Sequence, residues 1–143
     1  MRKNALSCRY AATVFLAAFL LSGACMAESS LALSGRFEHR TDPASLEMLG
    51  GLVCFYPSPE SAKLLPRPPS DTRLAWFCFT NTENARKRLG IPGKAAKGGC
   101  GYAGQATVRV VKYTPYLGEG DDFDTALLQS ASHISKTAVI PCQ

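Results

Sequence analysis

The N-terminal segment constrains the fold most, because it determines the compartment in which the chain folds. Three basic residues precede an uncharged run over residues 10–24, and small residues follow and end at Ala27. This order is typical of a secretory signal peptide. The apolar run is also shorter than the roughly 20 residues that span a bilayer. We therefore expect residues 1–27 to be a signal peptide and residues 28–143 to form one exported globular domain.

A second interpretation of this segment is lipidation of Cys25. Leu21 stands one position too early for the aliphatic residue of a lipoprotein signal, whereas cleavage after Ala27 places small residues at the two positions that a signal peptidase recognises. We therefore predict a periplasmic or secreted protein. The alternative is an outer-membrane lipoprotein, which would contact a membrane only through lipidated Cys25.

Four cysteines follow the predicted signal peptide, and an even number in a small exported domain predicts two disulfides. A metal site would instead need closely spaced pairs such as C-x-x-C, which these positions lack. The first two lie in apolar segments that we expect to form neighbouring strands, and the last two flank the final strands. Of the three connectivities we predict Cys54–Cys78 and Cys100–Cys142.

Alternating and apolar segments predict a mainly β domain. The predicted strands cover residues 33–40, 52–56, 74–80, 104–113 and 137–142. The third is apolar on both faces, which is typical of a central strand, so we expect Trp76 to be buried there.

Helix-capping patterns predict three short helices, over residues 58–65, 82–90 and 124–132. The last follows an acidic cluster, Glu119 to Asp124, that would suit a helix N-terminus. Five strands with the clearest helix between the third and fourth match a small OB-like five-stranded barrel of the α+β class. The alternative is an open antiparallel sheet with helices on one face.

The chain shows no pattern that requires a cofactor or a nucleic-acid partner. Residues 28–143 contain 13 Lys and Arg against 11 Asp and Glu, which is too small an excess to indicate nucleic-acid binding. The loop around Lys94 lacks the first glycine and the hydroxyl of a phosphate-binding loop. A basic stretch over residues 86–97 could face an anionic surface, but we interpret it as a solvated helix end.

Catalytic patterns are also missing from the sequence. After the signal peptide the only histidines are His39 and His133, and no G-x-S-x-G motif occurs. The four cysteines are expected to be oxidised, so none is a candidate nucleophile. We therefore expect a non-catalytic protein.

The remaining prediction is that the domain binds an unknown protein or envelope component, with an inhibitor or immunity-type role as one form of this function. Tyrosines near strand ends and lysines in a glycine-rich loop favour recognition surfaces. The candidate residues are Tyr102, Tyr113, Tyr116, Lys94 and Lys97. Two alternatives stay open: a lipid-anchored accessory lipoprotein with a structural role, and a small hydrolase.

Overall fold

The computed structural model describes residues 28–120 and 122–142. The predicted signal peptide, residues 1–27, and the lipidation candidate Cys25 lie outside the described residues. In chain order the elements are β1 (Leu31–Arg40), α1 (Pro43–Leu49), β2 (Cys54–Pro57), α2 (Pro59–Ala62), β3 (Phe77–Phe79), α3 (Thr82–Arg88), β4 (Gly101–Thr114), β5 (Asp124–Ser132) and β6 (Ala138–Val139).

Five of the strands close into a barrel. Their order is β1-β2-β3-β5-β4, and an additional pairing of β1 with β4 completes the ring. The β3–β5 pair is parallel and the other neighbouring pairs are antiparallel. The predicted OB-like five-stranded barrel is therefore confirmed, and the open-sheet alternative is not adopted. The short β6 adds to the start of β4 as an extra strand.

Phenylalanines from three strands fill the barrel. Phe37, Phe55, Phe77 and Phe79 are fully buried. The ring of Phe77 lies 5.6 Å from that of Phe55 and 5.5 Å from that of Phe79, the second pair edge-to-face. Aromatic pairs in such geometries contribute about 0.5–1.5 kcal/mol beyond the area that they bury. Gly104, opposite Phe37 in the β1–β4 register, leaves room for the Phe37 ring.

Helix α3 closes one end of the barrel. Ala85 and Leu89 are four positions apart, so both point to the same side, and both are fully buried in the core cluster. Ile91, just after the helix, is buried with them. The predicted helix over residues 82–90 is confirmed at this place, although it ends at Arg88.

The predicted helix over residues 124–132 is wrong, because this segment is strand β5. Its first half alternates, with Asp124, Ala126 and Leu128 buried and the residues between them half-buried. The acidic start that suggested a helix dipole has a different role, since Asp124 is buried against an arginine of the barrel. Backbone pairing with β3 on one side and β4 on the other then fixes the extended conformation.

The third predicted strand is shorter than expected. It runs only from Phe77 to Phe79, and Leu74 is 77% exposed. The prediction that Trp76 is buried in the core is wrong, since it is half-buried on the outer face of the sheet. Helix α1, by contrast, was not predicted. Asp42 caps it through the Ser45 N–H at 3.0 Å, and Gly50 ends it at a φ of 60°.

Both predicted disulfides are confirmed, Cys54–Cys78 and Cys100–Cys142. Cys54 and Cys78 lie directly opposite each other in the β2–β3 pair. Cys100 precedes β4, and its N–H donates to the carbonyl of Ile140 at 2.7 Å, which holds the C-terminal segment alongside. Two disulfides are compatible with an exported protein. Within residues 28–120 and 122–142 no helix is long and apolar enough to cross a bilayer.

Candidate functional site

An aromatic row crosses the outer face of the barrel. We define it as Tyr56, Trp76 and Phe123, one residue each from β2, the lead into β3 and the lead into β5. The strand registers place them side by side, because the β2–β3 and β3–β5 pairings each continue by one position to these residues. The Tyr56 and Trp76 rings are stacked at 5.7 Å, and the Trp76 and Phe123 rings lie 5.4 Å apart. The result is a continuous half-buried apolar stripe.

An arginine covers one end of the aromatic row. Arg36, opposite Tyr56 in the β1–β2 register, holds its guanidinium carbon 5.1 Å from the centre of the tyrosine ring. Arg36 also pairs with the buried carboxylate of Glu38, which Arg40 contacts at 3.0 Å. Burial, and secondarily the charge of Glu38, raises the pKa of Tyr56. Its hydroxyl therefore stays neutral at physiological pH.

The row lies on a small second core outside the barrel. This core consists of Leu49 of α1 and the Cys54–Cys78 disulfide, with Leu52 packed against them. Helix α1 therefore covers part of the β2–β3 face and leaves the rest open. In OB-like barrels this face and the loops between strands 1 and 2 and strands 4 and 5 are the usual binding region.

Between α1 and the β4–β5 loop the open part of this face forms a cleft of about 330 Å³. Its apolar walls are Met48, Leu74, Trp76 and Phe123, and its polar floor includes Arg67, Arg73 and Asp124. Met48 is 63% exposed and Leu74 is 77% exposed. Large apolar side chains that lie exposed next to each other are typical of binding surfaces, because soluble proteins seldom expose contiguous apolar patches elsewhere.

An ion cluster, defined as Arg67, Asp71, Arg73 and Asp124, forms the floor of the cleft. Asp124 is only 1% exposed, and its Oδ2 lies 3.1 Å from Nε of Arg67. Arg67 also contacts Asp71 at 2.8 Å, and Arg73 contacts the same carboxylate at 2.8 Å. Two guanidinium groups thus neutralise two carboxylates, which offsets the free-energy cost of burying these charges.

The ion cluster joins three separate segments. Asp124 accepts hydrogen bonds from the Tyr113 hydroxyl at the end of β4 and, at 2.7 Å, from the Tyr116 N–H in the β4–β5 loop. Arg73, from the β2–β3 connection, donates to the Tyr116 carbonyl at 2.6 Å. The floor and one wall of the cleft are therefore joined by hydrogen bonds between these segments.

The cluster also changes the acidity of its members. Hydrogen bonds from Arg73 hold the pKa of Asp71 well below its usual range, at about 2. The same hydrogen bonds raise the pKa of Arg73. Burial, followed by the hydrogen bond to Asp124, raises the pKa of Tyr113. All these groups accordingly keep their charge states across the physiological pH range.

The structure separates the predicted binding residues into two groups. Tyr113 and Tyr116 are half-buried behind the cleft, where Tyr113 meets Phe77 edge-to-face at 5.7 Å. Tyr102 lies near the other end of the same strand, eleven positions before Tyr113. It is half-buried and packs against the core. Their role in partner binding stays a prediction.

The predicted lysines precede β4. Lys94 and Lys97 are exposed in the segment between α3 and β4. This segment is held by buried Ile91 and Ala96. The structure therefore does not bring the lysines together with Tyr113 and Tyr116, which lie at the far end of β4.

The two histidines lie apart from the cleft. His39 is buried near α3, and burial, followed by the charge of Arg86, lowers its pKa. His133 is exposed, and its Nδ1 lies 3.3 Å from the Ser132 hydroxyl. Among the described residues, no group of three or more histidines, cysteines or acids is arranged to hold a metal ion.

Sequence reasoning did not identify the cleft. It selected Tyr113 and Tyr116, whereas Phe123 from the β4–β5 loop and Trp76 line the opening. Tyr56 ends a predicted strand, Trp76 lies within another, and Phe123 precedes a segment that was predicted to be a helix, so no local signal joined the three residues. Register between distant strands decides whether such residues meet, and a single sequence does not show that register.

Comparison with protein-family models, characterised proteins and solved structures gives no match to this chain. The fold and the site together define an OB-like barrel, fastened by two disulfides, with a preformed aromatic cleft on its β2–β3 face.

Proposed function

We propose that this chain is a non-catalytic exported protein that binds another protein in the cleft, in the manner of an inhibitor or immunity factor. The observation that carries this proposal is the exposed apolar mouth of the cleft, formed by Met48 and Leu74 beside Trp76 and Phe123. Aromatic residues, methionine and arginine are the side chains that protein interfaces favour. Methionine also adapts its shape to a partner surface.

The rigidity of the cleft supports an inhibitor-like role. The ion cluster fixes the β4–β5 loop, and the Cys54–Cys78 disulfide fixes the strands beneath the aromatic row. A surface that is ordered before binding loses little conformational entropy when the partner arrives. Inhibitor complexes typically use interfaces of this kind, whose backbone moves little on binding.

A crosslinking experiment identifies the partner. Replacing Leu74 by a photoreactive phenylalanine derivative in the exporting cell should give a specific adduct on illumination. The same derivative at Leu64, which is 56% exposed but does not line the cleft, is the matched control. A protease-sensitive adduct from position 74 alone supports a protein partner. Equal adducts from both positions would overturn the proposal. So would an adduct whose crosslinked partner is resistant to proteases.

Binding of the purified partner then tests the cleft itself. Met48→Asp and Leu74→Asp place charges at its centre and should each weaken affinity roughly tenfold or more, as expected for central interface positions. Leu64→Asp should leave affinity unchanged. All three side chains are exposed, so melting temperatures should stay close to that of the unmodified protein.

We further propose that the mature protein begins at Glu28 and is periplasmic or secreted. Two disulfides are compatible with that location. Mass spectrometry of the protein isolated from cells distinguishes this form from an outer-membrane lipoprotein. A free Glu28 is the expected N-terminus, whereas an acylated Cys25 would favour the lipid-anchored alternative.

A further inference from the structure

A cluster of unpaired cations lies at the end of the barrel that α3 closes. We define this basic end as Lys87, Arg88, Lys94 and Lys97, all exposed. Residues 82–101 contain five basic side chains and one acid, Glu83. That acid pairs with Arg86 at 3.3 Å. The four cations of the basic end have no carboxylate within ion-pair distance among the described residues.

The cations point away from the protein. Ala85 and Leu89 turn one side of α3 into the core, and Lys87, two positions from each, lies on the opposite side. Arg88 beside it contacts only the neutral side chain of Asn84, at 2.6 Å. Buried Ile91 and Ala96 hold the following segment against the barrel while the lysines at 94 and 97 stay in solvent.

Charges elsewhere on the protein are arranged differently. Most other arginines pair with acids, such as those of the ion cluster and the Arg36–Glu38–Arg40 group. The exposed acids Glu119 and Asp122 lie in the β4–β5 loop. β3 and β5 are parallel, so both strands start at the same end of the barrel. The β4–β5 loop lies at that end, because it leads into the start of β5. Helix α3 lies at the other end, because it follows the end of β3. Glu119 and Asp122 therefore lie at the end of the barrel opposite the basic end.

We propose that the basic end docks the protein on an anionic lipid surface. Among the exposed large apolar residues of the described chain, none lies within residues 82–100. Val139, which is 48% exposed, contacts Gly99 at the border of this segment, but a protein interface usually needs an apolar centre, and the centre of this surface consists of cations. A layer of anionic headgroups needs only exposed cations, each contributing about fivefold in binding. This proposal is independent of the cleft, which opens at the start of β3 and would stay accessible.

Vesicle sedimentation tests the proposal with the purified full protein. It should bind vesicles of mixed phosphatidylglycerol and phosphatidylcholine at low salt, and not vesicles of phosphatidylcholine alone. Lys94→Gln with Lys97→Gln should weaken binding roughly 30-fold, at about fivefold per charge. Raising the salt concentration should have a similar effect, because exposed charges are screened.

The matched control is Arg109→Gln with Lys112→Gln, which removes two exposed cations of β4 that, like those of the basic end, pair with no acid among the described residues. Its vesicle binding should stay within about fivefold of that of the unmodified protein. An equal loss in control and test variants would overturn the proposal, since net charge alone would then explain binding. So would failure to bind anionic vesicles together with salt-sensitive binding to polyglutamate, because that result assigns the basic end to an acidic polypeptide.

Discussion

At the scale of single residues, Asp124 is the side chain on which the candidate site depends. It is buried and accepts hydrogen bonds from Tyr113 and Tyr116, while Arg67 neutralises its charge. Without Asp124, the guanidinium groups of Arg67 and Arg73 would share the single carboxylate of Asp71, which leaves one positive charge of the cluster uncompensated. The cost of such a loss is set by the uncompensated charge more than by the pair itself.

Asp124→Ala should therefore lower the free energy of unfolding by about 3–5 kcal/mol, the range for breaking one side of a buried ion pair. Urea denaturation followed by circular dichroism measures the change. Asp122→Ala, at an exposed position two residues earlier, is the control and should change stability little. Equal stability of the two variants would show that the ion cluster does not hold the loop.

Asp71 gives a prediction about pH. Hydrogen bonds from Arg73 lower its pKa in the folded protein to about 2, from the ordinary aspartate value of 3.8. Because the folded pKa is lowered, the ionised carboxylate stabilises the fold above about pH 4, and that stabilisation is lost as the pH falls towards 2. Asp71→Asn should accordingly be less stable than the unmodified protein at neutral pH, and the difference should close below pH 4.

Unfolding midpoints across this pH range measure the difference. Arg73→Gln removes the hydrogen bonds that lower the pKa of Asp71. At neutral pH, Asp71→Asn should therefore reduce the free energy of unfolding less in the Arg73→Gln protein than in the unmodified protein. A difference that stays constant from neutral pH to pH 2 would contradict the assigned pKa shift of Asp71.

At the scale of elements, β5 shows how neighbours select secondary structure. Where β3 stops at Phe79, the side chain of Asn81 continues the pairing with β5. It donates to the Leu128 carbonyl at 2.8 Å and accepts from the Leu128 N–H at 2.9 Å. The amide thus takes the place of a missing strand residue and joins α3 to the sheet.

Asn81→Ala should cost about 1–3 kcal/mol, since it leaves backbone groups of a buried residue unsatisfied. Asn81→Asp, which keeps the acceptor and loses the donor, should retain part of the stability. Chemical denaturation and hydrogen exchange at Leu128 measure both effects. Exchange at Leu128 that is unchanged in Asn81→Ala would show that another group pairs with this part of β5.

The same element shows what the sequence could and could not predict. Alternation identified β1 and β4, and capping residues identified α2 and α3, because those signals lie within a few neighbouring positions. Residues 124–132 have both an acidic start and adjacent leucines, so local signals favoured a helix, and pairing with two distant strands decided otherwise. The aromatic row was missed for the same reason, since it exists only through the registers of separate strands.

At the scale of the whole molecule, two disulfides fasten different parts of the barrel. Cys54 and Cys78 are 2% and 0% exposed and join neighbouring strands beneath the aromatic row. Cys100–Cys142 ties the C-terminal segment, with the two-residue β6, to the start of β4. The chain-entropy description alone favours the second bond slightly, because its loop of 42 positions exceeds the 24 of the first.

We expect the Cys54–Cys78 disulfide to contribute more to stability than Cys100–Cys142, because its sulfurs are buried. Replacing Cys54 and Cys78 together by alanine removes two sulfurs from a packed core, so the cost should reach about 2–5 kcal/mol. An added cavity cost should accompany it. Replacing Cys100 and Cys142 should cost less and leave the five-stranded barrel folded. Thermal unfolding of the two double variants compares them, and a lower melting temperature for the Cys100/Cys142 variant would contradict the expected order.

The closing β1–β4 pairing has a consequence for how the chain matures. Its partners lie at least 61 positions apart, from Arg40 with Gly101 to Leu31 with Val110, so the ring cannot close until β4 has been made. The antiparallel β2–β3 pair, by contrast, can form without any residue beyond Phe79. In a polypeptide threaded N-terminus first through a translocon, Cys54 and Cys78 would emerge and oxidise before Cys100 appears. If the protein is exported in this way, the linear order of the cysteines would let the first disulfide form before the later thiols are exposed, and barrel closure, which is slow for contacts of long sequence separation, would follow.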